Sequence, residues 1–152
     1  MSDESRAPTR ERIRAQAIAT GCGFAAALFA GFTWYTVVTA IRSQATYLCI
    51  IVAVAIGFAA VRGAGRGGAD IAVITVLVVV CALSVCFYYV DRYGLIRTAE
   101  NNRVVLDIPL NPSVGWAKLV LREGFKRTPS QYLYCTIALA SSSMYAYRGG
   151  GR

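Results

Sequence analysis

Four stretches of this chain contain no Asp, Glu, Lys or Arg. They are residues 15–41, 43–61, 71–90 and 128–147, with lengths of 27, 19, 20 and 20. A bilayer's hydrocarbon core is ~30 Å thick and takes about 20 helical residues at ~1.5 Å each. The stretches therefore have the length a membrane crossing needs. Composition agrees: hydrophobic residues make up 56% of the 152 and charged residues 16%, where soluble domains carry about 25% charged. A backbone in lipid must satisfy its own hydrogen bonds, so each stretch predicts a helix. The expected fold is an all-α, integral membrane four-helix bundle. Its spans cover about 15–41, 46–61, 69–90 and 131–147. The last run, QYLYCTIALASSSMYAY, is less apolar than the others. Ser141–Ser143 weaken it, but their hydroxyls can bond back to helix carbonyls, and the run is long enough and uncharged, which favours a fourth span over an interfacial segment.

The N-terminal tail, 1–14, is basic, with Arg6, Arg10, Arg12 and Arg14. The apolar run behind it is far longer than a signal-peptide core of about 7–15 residues, so it reads as a retained anchor. Lys and Arg divide evenly between the two faces, eight to each. The first helix usually dominates topology. Both termini are therefore expected in the cytoplasm, the chain being multi-pass in the cell's inner membrane. The small basic tail 148–152 falls on that same side. Trp34, Tyr35, Tyr47, Tyr88, Tyr89, Tyr93, Tyr132 and Tyr134 all fall at the opposite face, as an interfacial aromatic belt would. The net charge of +8 is better explained by topology and lipid head groups than by nucleic acid, which is not an expected partner.

Between the second and third spans lies VRGAGRGGAD, in which Gly63, Gly65 and Gly68 spell G-x-G-x-x-G. A dinucleotide site needs a short strand before the glycines and a βαβ unit around them. The apolar run ahead of them is 16 residues, 46–61, against ~5–6 for a strand. The glycines instead predict a tight helix–helix reversal. The five cysteines (Cys22, Cys49, Cys81, Cys86, Cys135) sit inside the apolar runs, without a C-x-x-C, and the chain has no histidine. They read as small packing residues. No metal, cofactor-binding or catalytic residue is expected, and no cofactor.

The loop 91–128 carries an expected amphipathic helix at 112–127, opened by Asn111-Pro112 as cap and first position. Val114, Ala117, Val120, Leu121 and Phe125 share one face. Lys118, Arg122 and Lys126 recur on the other, as lipid-surface contacts. Two readings stay open: a helix on anionic lipid or a docking partner, and a linker helix packed on the mouth of the bundle.

Small residues recur every four positions in the first span (Ala15, Ala19, Gly23, Ala27, Gly31), in the second (Cys49, Ala53, Gly57) and in the fourth (Ala138, Ser142, Ala146). Such ridges let helix backbones approach in lipid. They serve packing within the bundle or association between copies. The spans contain no proline and, inside Asp70 at the start of the third, no Asp, Glu, Lys, Arg or His, against the habits of transporters and proton relays. Asp91 ends the third run and reads as an interface marker. The function expected is a non-enzymatic accessory or scaffold protein whose partners are the lipid bilayer and either its own copies or other membrane proteins. The alternative is a small oligomeric transporter or pore, lined by Thr33, Thr36, Thr75, Ser84 and Ser141–Ser143.

Two segments also carry a resemblance. TYLCIIVAVAIGFAAVRGAGRGG (46–68) is an apolar helix ending in a Val-Arg and glycine turn. TPSQYLYCTIALASSSMYAYR (128–148) has a proline, an apolar run with Ile-Ala-Leu, then an aromatic and a basic stop. In these the chain resembles a loose group of small four-helix bacterial membrane proteins of unknown function, departing from it in the serine run. The resemblance implies four spans and brings no activity, cofactor or catalytic residue.

Overall fold

The computed structural model of the chain describes residues 7–42, 45–111 and 113–149. Among these there are five helices and no strand: α1 (Ala7–Ile41), α2 (Leu48–Ala64), α3 (Ala69–Asn101), α4 (Val114–Arg127) and α5 (Ser130–Arg148). Two helices, α1 and α3, are long and apolar enough to cross a membrane, and α2 is a shorter apolar helix. Residues 7–14 of the basic N-terminal tail are helical, since α1 begins at Ala7 and carries Arg10, Arg12 and Arg14 outward. Residues 1–6 and 150–152 of the two basic tails lie outside the described residues.

Close contacts give the helix directions. Gly63 of α2 lies against Cys22 of α1, while Trp34 and Val38 near the end of α1 share a core with Cys49 and Val52 at the start of α2. These two helices are antiparallel. Gly23 packs on Val78 and Gly31 on Cys86, so α1 and α3 run parallel. Between α3 and α5, Gln131 bonds Asp91 and the Gly68 N–H donates to the Ala146 carbonyl at 3.2 Å, so those two are antiparallel. The result is an up-down-up-down arrangement of α1, α2, α3 and α5.

The turn between α2 and α3 is the glycine stretch. Gly65 ends α2 at φ 67° and Gly68 precedes α3 at φ 139°. Both values lie where a Cβ is strained, which is why glycines occupy them. The G-x-G-x-x-G pattern is thus a helical hairpin turn.

The small-residue ridges face inward. Ala19, Gly23, Ala27 and Gly31 are buried in α1, and Cys49, Ala53 and Gly57 in α2. Ala138, Ser142 and Ala146 are fully buried in α5. A Cβ at Gly57 would sit 3.2 Å from the Ser142 carbonyl oxygen, and one at Gly31 would sit 2.7 Å from Cys86 Sγ. Many large apolar residues point the other way: Phe24, Leu28, Phe29 and Phe32 on α1, Ile51 and Phe58 on α2, Val73 and Leu77 on α3, Leu133 and Met144 on α5 are exposed, whereas Trp34, Ile56, Ile71 and Phe87 fill the core.

One boundary differs from the sequence reading. The third helix does not stop near residue 90: it continues through Asp91 to Asn101, because Leu95 and Ile96 extend its apolar face and pack with α4. The return loop is pinned to it. Tyr88 donates its hydroxyl to the Pro109 carbonyl at 2.7 Å, and Arg92 Nε donates to that of Ile108 at 2.9 Å. A second difference concerns the cap of α4. The helix starts at Val114, and the Ser113 hydroxyl accepts from the Trp116 N–H, whereas Asn111 lies in a bend before it. Pro112, the expected first helical position, lies outside the described residues.

Candidate functional site

α3 carries an aspartate at each end of its charge-free run, and the two have opposite surroundings. Asp70 sits in the first turn, where a negative charge is favoured by the helix N-terminus. Arg66 pairs with it from the glycine turn, Gln16 Nε2 donates at 3.1 Å and Arg12 Nε lies at 3.4 Å. The cluster ties α1 to the hairpin turn and remains partly open to solvent, with the Arg12 side chain 65% exposed.

Asp91 is 1% exposed, and its neighbour Gln131 on α5 is fully buried. Gln131 Nε2 donates to Asp91 Oδ1 at 3.2 Å. The remaining oxygens of this pair, Asp91 Oδ2 and Gln131 Oε1, have no hydrogen-bond partner. Such orphaned buried oxygens cost about 1–3 kcal/mol each in free energy. Gly124 of α4 lies directly on the carboxylate, and a Cβ there would run into it. The absence of a side chain at 124 is what lets α4 close over Asp91. Around this point the layer is aromatic. Phe125 stacks on Phe87 and Tyr132, and Trp34 meets Phe87 edge to face at 5.2 Å. Trp34 is 2% exposed with its indole N–H unpartnered, so it serves as a core residue here and not as a lipid anchor. Cys49 of α2 is buried in the core, and Cys135 of α5 packs against the same cluster.

Sequence reasoning placed Asp91 at a wet interface, and the structure buries it. Two signals in the chain pointed to this. One is the apolar pattern continuing past Asp91 through Leu95 and Ile96. The other is a glycine, Gly124, in the middle of the amphipathic helix, between Glu123 and Phe125.

The basic ridge of α4 is where it was expected. Lys118, Arg122 and Lys126 are all exposed, while Val120 on the opposite face is fully buried against Tyr88, Leu95 and Ile108. Leu119 and Val114 are exposed beside the ridge. Lys126 Nζ pairs with Glu123 at 2.7 Å, and this contact holds the Glu123 carboxyl below its usual range. The linker reading of α4 therefore describes its inner face, and its outer face is left basic.

The residues proposed to line a pore differ in their surroundings. Thr33, Thr36 and Ser84 are exposed and donate to the carbonyls of Phe29, Phe32 and Val80 in their own helices. Of this set, Thr75 and Ser142 are buried. Among the described residues no group of three or more His, Cys, Asp or Glu could hold a metal ion.

The class these features define is an all-helical protein with two membrane-length apolar helices and a covered carboxylate–amide pair. No family model, curated protein or solved structure matches the chain.

Proposed function

We propose that the chain is a multi-pass membrane protein in which α1, α2, α3 and α5 all cross the bilayer. The observation that carries this reading is the apolar outer surface of all four helices. Small residues sit at the closest helix contacts, and large apolar side chains such as Phe29 on α1, Phe58 on α2, Leu77 on α3 and Leu133 on α5 are exposed on the outside. In water that surface would be a large apolar patch, whereas in lipid it is matched. The termini and the glycine turn then share one face, assigned to the cytoplasm by the arginines ahead of α1. The 102–113 loop and α4 lie at the other, with Lys118, Arg122 and Lys126 directed to lipid head groups.

In this reading the protein is a non-enzymatic accessory or scaffold that associates with other membrane proteins or with itself. The ridges of small residues are spent inside the bundle, so association uses the outer aromatic and aliphatic faces. Support for a scaffold over a pore comes from the tight core and from the differing surroundings of the candidate lining residues. Purified protein reconstituted in liposomes should pass neither ions nor small solutes, and cross-linking in native membranes should give a discrete adduct. Flux of any ion above that of empty liposomes would overturn the scaffold reading.

A further inference from the structure

We propose that Asp91 and Gln131 form a proton-binding site, with one proton on Asp91 Oδ2 shared with Gln131 Oε1 and α4 seated over the pair as its cover. Three observations lead there. Both side chains are at least nine-tenths buried. The amide N–H of Gln131 already donates to Asp91 Oδ1. The two oxygens left over, one on each residue, are both acceptors and both unpartnered. Two acceptors cannot satisfy each other, but a single added proton makes one of them a donor. A neutral carboxyl facing a carboxamide then forms a cyclic pair, with N–H to Oδ1 and O–H to Oε1. The balance is simple: a hydronium ion gives its proton to the carboxylate, an O–H bond forms, water leaves, and the site becomes neutral.

The groups around Asp91 fit a proton better than a metal cation. An N–H already points at the carboxylate and would face any metal ion placed on it. Gly124 occupies the space above it, and two free oxygens are too few for an alkali ion. The charged and titratable neighbours are limited. On α3, Arg92 is turned away to the Ile108 and Pro109 carbonyls. On α4, Arg127 acts on Asp91 through space, and its guanidinium donates to Thr98 Oγ1 at 3.2 Å. On α5 there is the free thiol of Cys135, and on α2 that of Cys49, both in the same core cluster. α1 carries no charged residue between Arg14 and Arg42. No cation forms an ion pair with Asp91 among the described residues.

The cover supplies a consequence. An ionised Asp91 requires water or a cation, and Gly124 leaves room for neither. Release of the proton therefore lifts α4, and seating of α4 favours its uptake. The stabilisation belongs to the neutral form: it is present at low pH and lost as pH rises through the titration of the site. The inference rests on the packing of α3, α4 and α5 and goes beyond the scaffold reading without depending on it.

The test uses the full chain in lipid nanodiscs, followed by infrared difference spectroscopy as pH is stepped in sodium-free buffer. The expected result is a protonated-carboxyl band that persists above the ~3.9 of an ordinary aspartate. It should be absent in Asp91→Asn and unmoved by added sodium. Loss of the band on adding sodium at fixed pH would make the ligand a metal cation and overturn the proposal, as would a band in the ordinary carboxyl range. Asp91→Asn is isosteric and keeps the neutral state, so the variant should fold. Hydrogen exchange over 114–127, corrected for intrinsic rates, should accelerate with rising pH in the wild type and stay flat in Asp91→Asn. A flat wild-type profile would overturn the coupling to α4.

Discussion

Asp70 and Asp91 are separated by 21 positions on one helix, about 32 Å at ~1.5 Å per residue, close to the thickness of a hydrocarbon core. Sequence gives them equal standing, as the charges that bracket an apolar run. Structure treats them differently. Asp70 is surrounded by two arginines and a glutamine and stays partly wet, whereas Asp91 has one amide and a helix pressed on top of it. The difference lies in α4. A carboxylate at the end of an apolar run is a surface marker unless another segment covers it, and here a glycine allows the cover to close fully.

The comparison can be broken from the Asp91 side first. Gly124→Leu should cost about 3 kcal/mol, at the upper end of overpacking penalties, read as a lower thermal midpoint in detergent. The same cavity gives a cycle. Gly124→Ala should be destabilising alone and much less so beside Asp91→Ala, with a coupling of about 1–2 kcal/mol. Additive effects would mean that Gly124 and Asp91 do not meet. Gln131→Leu removes the one donor to a buried carboxyl and should cost about 2 kcal/mol by the same assay. On the Asp70 side the effects shrink. Asp70→Asn should cost about 0.5–1 kcal/mol, and the loss should fade at high salt, because its partners are exposed. The smallest effect on folding belongs to the ridge. Replacing Lys118, Arg122 and Lys126 together by Glu should leave the thermal midpoint unchanged. It should, however, abolish the slowing of hydrogen exchange that anionic nanodiscs impose on 114–127.

Much of the helical layout was legible because charge spacing and backbone satisfaction in lipid act locally along the chain. The glycine turn was legible for a similar reason: Gly65 and Gly68 take backbone angles that other residues resist. Asp91 was not, since its burial depends on Gly124, 33 positions away, and on Gln131 beyond that. The ridges of small residues were visible, but spacing of four describes a face and does not say whether the neighbour is in the same chain. Contacts such as Gly57 on Ser142 answer that. Trp34 and Tyr88 show the same limit. Aromatic residues near a span end suggest a lipid interface, yet packing against Phe87 in one case and a bond to Pro109 in the other place both in the core.

The central claim is that the two aspartates of α3 lie at opposite faces of a bilayer, one beside the hairpin turn and one beneath α4. Labelling with a membrane-impermeant maleimide tests it most directly. The background would have the five cysteines replaced, with single cysteines introduced by Gly67→Cys in the turn and Lys118→Cys on α4. Reagent applied to one side of sealed membranes should label one of the two positions, and reagent applied to the other side should label the other. Labelling of both positions from the same side would contradict it.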